Sequence, residues 1–254
     1  MALRFAGWMA AAVVAGITLT SGAAEAAKCG SGPAGFPAWL QEFKAEAQAQ
    51  GISSRTVHAA LDQVTYDPHV IRLDRSQHSF KLSLSQFMAR RAPPSYIQRA
   101  RGMMRSNAGL LERIQSRFGV QPEVLIAIWG METGFGANSG HMDTIRSLAT
   151  LAYDCRRSEF FTNELLAALQ IVQRGDMSPG EMRGAWAGEI GQTQFLASKY
   201  LQYAVDFDGD GRRDLIHSRA DVLASTANFL RGHGWQPGAG YQPGQPNYAV
   251  FAAW

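Results

Sequence analysis

The chain has 254 residues, of which 46% are hydrophobic and 18% charged, with 26 Gly and 10 Pro. This is the mixture of a globular protein of one large or two small domains, and it excludes disordered and fibrous structure. The net charge of +3 is only mildly basic, and its basic residues, mostly Arg, form no dense stripe, which argues against a nucleic-acid partner.

Residues 1–26 open with Arg4, continue through an apolar stretch from Phe5 to about Leu19 and end in small residues, with Ala24-Glu25-Ala26 as a small-x-small cleavage pattern. The spacing predicts a secretory signal peptide cut after Ala26, its apolar run being too short to span a membrane. A lipid anchor on Cys29 is disfavoured because Lys28 stands where a lipobox has a small residue. Cys155 is the second of two cysteines, and in an exported chain an even pair reads as a disulfide, with two unpaired buried thiols as the alternative.

Apolar residues then recur at helical spacing. Trp39, Leu40, Phe43 and Ala47 predict a helix from Pro37 that stops at Gly51. Ser53 or Ser54 caps another through Leu61, and Ser83 to Arg91 forms a third. One long helix is expected from Pro94 to Phe118, ended by Gly119, and the next starts at Pro122. Ser158 to Gly175 is helical by its Phe161, Leu165, Leu169 and Val172. Ser178-Pro179-Gly180-Glu181 has the form of a capping box opening a further helix. A last helix covers about Arg219 to Arg231, before a Gly/Pro-rich loop. With no sustained period-two alternation, the fold class is mainly α. The chain stops in an apolar run, Ala249 to Trp254, which reads as the start of an element left unfinished.

Four segments carry chemistry. EVLIAIWGMETGFG, residues 123–136, is a helix apolar on nearly every face, yet it delivers one carboxylate, Glu132, at its C-terminal end. The negative end of the helix dipole and an expected apolar wall of Trp129, Met131 and Phe135 favour the protonated acid, the form able to protonate a leaving oxygen. In ATLAYDCRRSEFF, Arg156 and Arg157 stand at a helix start and are able to hold carboxylates or acetamido sugars. In AGEIGQTQF, two glycines permit close approach of a ligand and the amides of Gln192 and Gln194 suit sugar hydroxyls. Asp206, Asp208, Asp210, Arg212 and Asp214, with Gly211 at position six, match an EF-hand calcium loop over residues 206–217. His217 replaces the usual Glu at position twelve, so a weaker site, or completion by a residue such as Asp221, is expected.

Together WGMETGFG, LATLAYDCRRSEFF, AGEIGQTQF, YAVDFDGDGRRDL and FLRGHGW resemble the lytic murein transglycosylases of the B type, glycoside hydrolase family 103. The resemblance runs from about Phe36 to the end. It implies a lysozyme-like, SLT-type helical domain over residues 27–254, active on peptidoglycan strands in the periplasm as a monomer. Glu132 matches the family's one catalytic glutamate, Gln194, Arg156 and Arg157 would line the glycan cleft, and the Asp206 loop would hold a structural Ca2+, with no cofactor for the chemistry. This chain departs from the family pattern at Ala185, Glu189, Ile190 and Ala197, where Ser, Ala, Met and Pro are usual. Glu189 thereby adds a carboxylate near the cleft, which leaves a two-carboxylate muramidase using Glu132 and Glu189 as one alternative and a non-catalytic peptidoglycan-binding protein as another. The family also continues past the final tryptophan, so the domain is expected to be short at its C-terminus.

Overall fold

The computed structural model describes residues 28–76 and 83–254; the expected signal peptide lies outside them. Twelve helices follow in order among the described residues: α1 (Phe36–Ala49), α2 (Ser54–Leu61), α3 (Pro68–Arg75), α4 (Leu84–Arg91), α5 (Pro94–Ser106), α6 (Ala108–Phe118), α7 (Pro122–Thr133), α8 (Thr144–Tyr153), α9 (Ser158–Arg174), α10 (Ala197–Tyr203), α11 (Arg219–Gly232) and α12 (Tyr248–Phe251). Two short strands, β1 (Met142–Asp143) and β2 (Arg183–Gly184), pair antiparallel. Among these residues no helix is long and apolar enough to cross a membrane.

Sequence chemistry sets most boundaries. Ser53 accepts from the Thr56 N–H at the start of α2, and Ser83 and Gln86 form a reciprocal capping box on α4. Gly119 and Gly175 end α6 and α9 in the left-handed conformation that a side chain resists. The core is organised around α8 and α9, which pack along each other, with α1, α2 and α10 laid against them.

Two expected elements differ. The helix read from Pro94 to Phe118 is broken at Asn107, which is buried. The Asn107 side chain donates to the Met103 carbonyl one turn back (2.7 Å) and accepts from Arg219 of α11 (2.9 Å), so a local bond at the helix end and one tertiary anchor at the same residue override helical continuity. Ser178 to Glu181 opens no helix. Glu181 does reach back to the Ser178 N–H (2.7 Å), but the chain turns and enters β2, whose pairing with β1 takes the backbone groups a helix would need. The short α3, α8 and α10 lie outside the helices read from the sequence; α8 is buried on nearly every face.

The disulfide between Cys29 and Cys155 is present, with a Cα–Cα distance of 5.0 Å. It fixes the N-terminal segment where Gly30 also donates from its backbone to the Tyr153 carbonyl (2.8 Å). Beside it lies a buried carboxylate, Asp74, that gathers three guanidinium groups: Arg75 (2.9 Å), Arg156 through Nε (2.8 Å) and Arg157. Burial pushes the Asp74 carboxyl up, yet the hydrogen bonds from Arg156 and Arg157 outweigh it and hold the group below the usual carboxylate range. A depressed folded-state pKa contributes stability that is complete above the unfolded value and is lost as pH falls through the folded one. The melting temperature should therefore fall more steeply below about pH 4 in the wild type than in Asp74→Asn; parallel curves would remove Asp74 from the acid response.

Candidate active site

Helix α7 delivers Glu132. Val124, Leu125, Ile126, Ile128 and Trp129 bury its sides, and Thr133, one residue beyond Glu132, turns inward to donate to the Gln192 carbonyl (2.6 Å). Gly134, Phe135 and Gly136 then have φ of 64°, 62° and 81°, so the chain reverses sharply and leaves Glu132 exposed at the helix end. A Cβ at Gly136 would collide with the side chain of Gln192. Phe135 accepts its left-handed strain because its ring is buried edge-on to Trp129 (5.6 Å between centroids) and beside Tyr96 (5.1 Å).

The second wall is the segment from Gly184 to Phe195. Ile190 and Phe195 exchange both backbone hydrogen bonds (2.7 and 3.0 Å), and Ala185 donates to the Glu189 carbonyl (3.2 Å). This folds the segment back on itself so tightly that a Cβ at Gly184 would overlap the Glu189 carbonyl oxygen, and one at Gly188 would overlap Leu148. The third wall comes from α10, α11 and the last residues of the chain. Trp254 stands edge-on to Phe195 (5.6 Å) and Phe229 (5.1 Å), and its indole N–H donates to Glu132 Oε1 (2.8 Å).

These walls enclose two adjoining pockets. One, of about 280 Å³, is lined by Glu132, Glu189, Gln194, Lys199, Phe229 and Trp254, among others. The other, of about 540 Å³, is mostly apolar, with Val124, Ile128, Met131, Tyr241 and Phe251. Glu132 and Trp254 line both, so the carboxylate sits at the junction of a polar and an apolar compartment.

The expected site residues divide sharply. Glu132, Glu189 and Gln194 come together in the smaller pocket. Gln194 donates through Nε2 to the carbonyls of Gly191 (2.9 Å) and Ser139 (3.2 Å), which leaves its own carbonyl oxygen for a ligand. Gln192 does not line that pocket: its side chain accepts from the Trp129 indole (2.8 Å) and donates to the Ile216 carbonyl (2.7 Å), so both ends of the amide hold the fold. Arg156 and Arg157 do not line it either, because their guanidinium groups are bound to Asp74. The apolar wall expected beside Glu132 is also different. Trp129 and Phe135 are buried in the core, while Met131 is exposed and belongs to the larger pocket.

Lys199 and Trp254 are the site residues that sequence reading missed. Lys199 belongs to no motif. Trp254 appeared only as part of an apolar run without a partner, although that run packs on the body through Val250, which is buried, and Phe251, edge-on to Trp235 (5.7 Å).

Away from the cleft, carboxylate oxygens of Asp206, Asp208 and Asp210 lie within 4.8 Å of one another. Asp214 accepts from the N–H groups of Ile216 (2.9 Å) and His217 (2.8 Å), and His217 Nδ1 also contacts it (3.0 Å). Asp221, expected as a completing ligand, is fully buried and accepts from the N–H groups of Phe207 (2.7 Å) and Asp214 (2.8 Å). Its carboxylate closes the loop from inside instead of facing an ion.

A family model described as "Transglycosylase SLT domain" matches residues 35–247. Over 145 residues the chain is 38% identical to membrane-bound lytic murein transglycosylase B of Escherichia coli (strain K12), covering 54% of this chain and 40% of that protein. The crystal structure of SltB3 from Pseudomonas aeruginosa in complex with NAG-anhNAM-pentapeptide superposes with a TM-score of 0.77 at 43% identity, over 80% of this chain and 54% of that one. The Escherichia coli lytic transglycosylase Slt35 in complex with calcium gives a TM-score of 0.73 at 28% identity, over 85% and 68% of the two chains. The chain thus spans about half the length of SltB3 and less of the curated relative.

Proposed function

The chain belongs to the transglycosylase SLT family, and from that membership we propose that it is a lytic murein transglycosylase acting on the MurNAc-β-1,4-GlcNAc bond of peptidoglycan. The observation that carries this reading is Glu132, held at the end of a core helix where two pockets meet, with one oxygen engaged by an indole. An indole N–H only donates, so Oε1 acts as its acceptor and the catalytic proton belongs on Oε2. Glu132 gives that proton to the glycosidic oxygen as the bond from C1 breaks. The resulting carboxylate takes the proton of the C6 hydroxyl while O6 bonds to C1, closing a 1,6-anhydro ring. Glu132 ends protonated again and no water is consumed.

Glu189 lines the same pocket, and this favours one second reading, a hydrolase using both carboxyl groups. Mass spectrometry of digested peptidoglycan separates the two. Anhydro-muramoyl products are expected; reducing-end products alone, each one water heavier, would establish the hydrolase.

The Asp206 loop is read as a structural calcium site. Its donors are oxygens only, which suits a hard cation, and the complex of Slt35 with calcium supports the assignment. Asp206, Asp208, Asp210 and Asp214 would supply carboxylates and Arg212 its backbone carbonyl. Calcium at about a hundred times its dissociation constant adds about 2.7 kcal/mol to folding stability. Chelation should therefore lower the melting temperature by roughly 5–10 °C, and Asp206→Ala should abolish the difference. Equal melting temperatures with and without calcium would refute the site.

The same reading places the enzyme in the periplasm, exported by residues 1–26. Support comes from the disulfide between Cys29 and Cys155, a bond that persists in oxidising compartments. It also occupies the one sulfur that a lipid anchor at Cys29 would require.

A further inference from the structure

Glu189 is built into the cleft in an unusual way. Its backbone is fixed by the folded-back segment, in which its carbonyl accepts from Ala185 (3.2 Å) and Gly184 admits no side chain. Its side chain lines the pocket with Glu132, yet one of its oxygens, Oε2, is buried without a hydrogen-bond partner. Among the described residues no ion pair forms on it: Arg157, whose charge reaches it, is itself bound to Asp74. An ionised carboxylate with one dry, unpartnered oxygen is strongly disfavoured, whereas a neutral carboxyl tolerates the same position.

We propose that Glu189 is a sugar-binding residue that works as a hydrogen-bond donor, its proton carried on the oxygen left to meet a ligand in the pocket. The partner it fits is an uncharged acceptor, such as the acetamido carbonyl of an N-acetylated hexosamine. The charged groups around it are Glu132 at the end of α7, Arg157 before α9 and Lys199 on α10. Burial drives the Glu189 carboxyl above the usual carboxylate range; the backbone N–H groups of Glu189 and Ala187 and the charge of Arg157 pull the other way, while Glu132 adds to the rise. Glu189 thus differs from Gln194, which offers an acceptor in the same pocket, and the two together present complementary ends to one amide or hydroxyl.

This inference rests on the glycan-cleaving reading of the pocket, but its test reads binding and not turnover. In a Glu132→Gln background, which removes the neighbouring carboxyl group and blocks cleavage, calorimetric titration with the β-1,4-linked tetrasaccharide of N-acetylglucosamine is followed upward from about pH 4. Affinity is expected to decline as Glu189 loses its proton. Adding Glu189→Gln should keep the low-pH affinity and flatten the profile, because an amide still donates. Adding Glu189→Ala should weaken binding about fivefold at low pH. A flat profile with Glu189 in place, unchanged affinity with Glu189→Ala, or no binding of the tetrasaccharide would each overturn the assignment. The product masses described above decide the cleavage reading separately, so the failure of either is recognisable.

Discussion

Glu132→Gln is expected to reduce the release of soluble fragments from peptidoglycan by at least about a thousandfold, while binding to the intact polymer stays within about threefold of wild type. The two expectations come from one piece of geometry. Glu132 is exposed at the mouth of both pockets and is not part of the packed core, so the fold does not depend on its charge. An amide there still accepts the Trp254 N–H, and only the transferable proton is lost. Since the same group is asked first to give and then to take a proton, its removal blocks both halves of the reaction. Fragment release is measured by chromatography of muropeptides, and binding by co-sedimentation with insoluble sacculi. A variant that kept a tenth of wild-type activity would move the acid elsewhere, with Glu189 the first residue to examine. A wild type that binds sacculi and releases nothing would make this chain a binding protein.

The second large effect is on stability. Cys155→Ser opens a covalent loop whose ends are 126 residues apart, and the chain-entropy model assigns about 5 kcal/mol to a loop of this size. Against a total of about 5–15 kcal/mol for a folded domain, that is a large share, and a fall of roughly 10–20 °C in melting temperature is expected. The neighbourhood reinforces the effect. Cys155 precedes Arg156, which holds Asp74, and follows Asp154, which accepts from Arg75 (2.8 Å) and from the Arg156 N–H (3.0 Å). Releasing the sulfur loosens the ends of several ion pairs at once, so Cys155→Ser and Asp74→Asn should combine less than additively. Scanning calorimetry of the oxidised wild type and the two variants tests this. A change of only a degree or two would mean that the N-terminal segment docks without help from the bond.

How much of this was readable beforehand depended on the range of the signal. Ser53, Ser83, Gly119 and Gly175 act on their own neighbours, and the helix ends they mark stand where local chemistry puts them. The break at Asn107 was illegible because its cause, Arg219, lies 112 residues away. Glu132 could be singled out as the one charge at the C-terminal end of an apolar helix, a contrast visible within fourteen letters. Gln192 and Gln194 looked equivalent in sequence and have opposite fates. Their alternation is interrupted by the left-handed turn at Gln194 (φ 55°), which sends the first amide to Trp129 and Ile216 and the second to the cleft. The pairing of Arg156 and Arg157 was hidden for a related reason: their partner, Asp74, is a single acidic residue in a distant helix and leaves no mark on the local pattern.

The indole that touches Glu132 also makes the cleft observable by light. Trp39, Trp129 and Trp235 are buried and will emit as shielded core tryptophans whatever the cleft contains, and Trp186, though partly covered, lines neither pocket. Trp254 is only partly covered, borders both pockets and donates its N–H to a carboxylate. Ligand entry on either side, or a change in the charge of its acceptor, alters the polarity around that one ring. The native chain therefore carries its own fluorophore beside Glu132, and occupancy of the cleft can be followed in real time without a label.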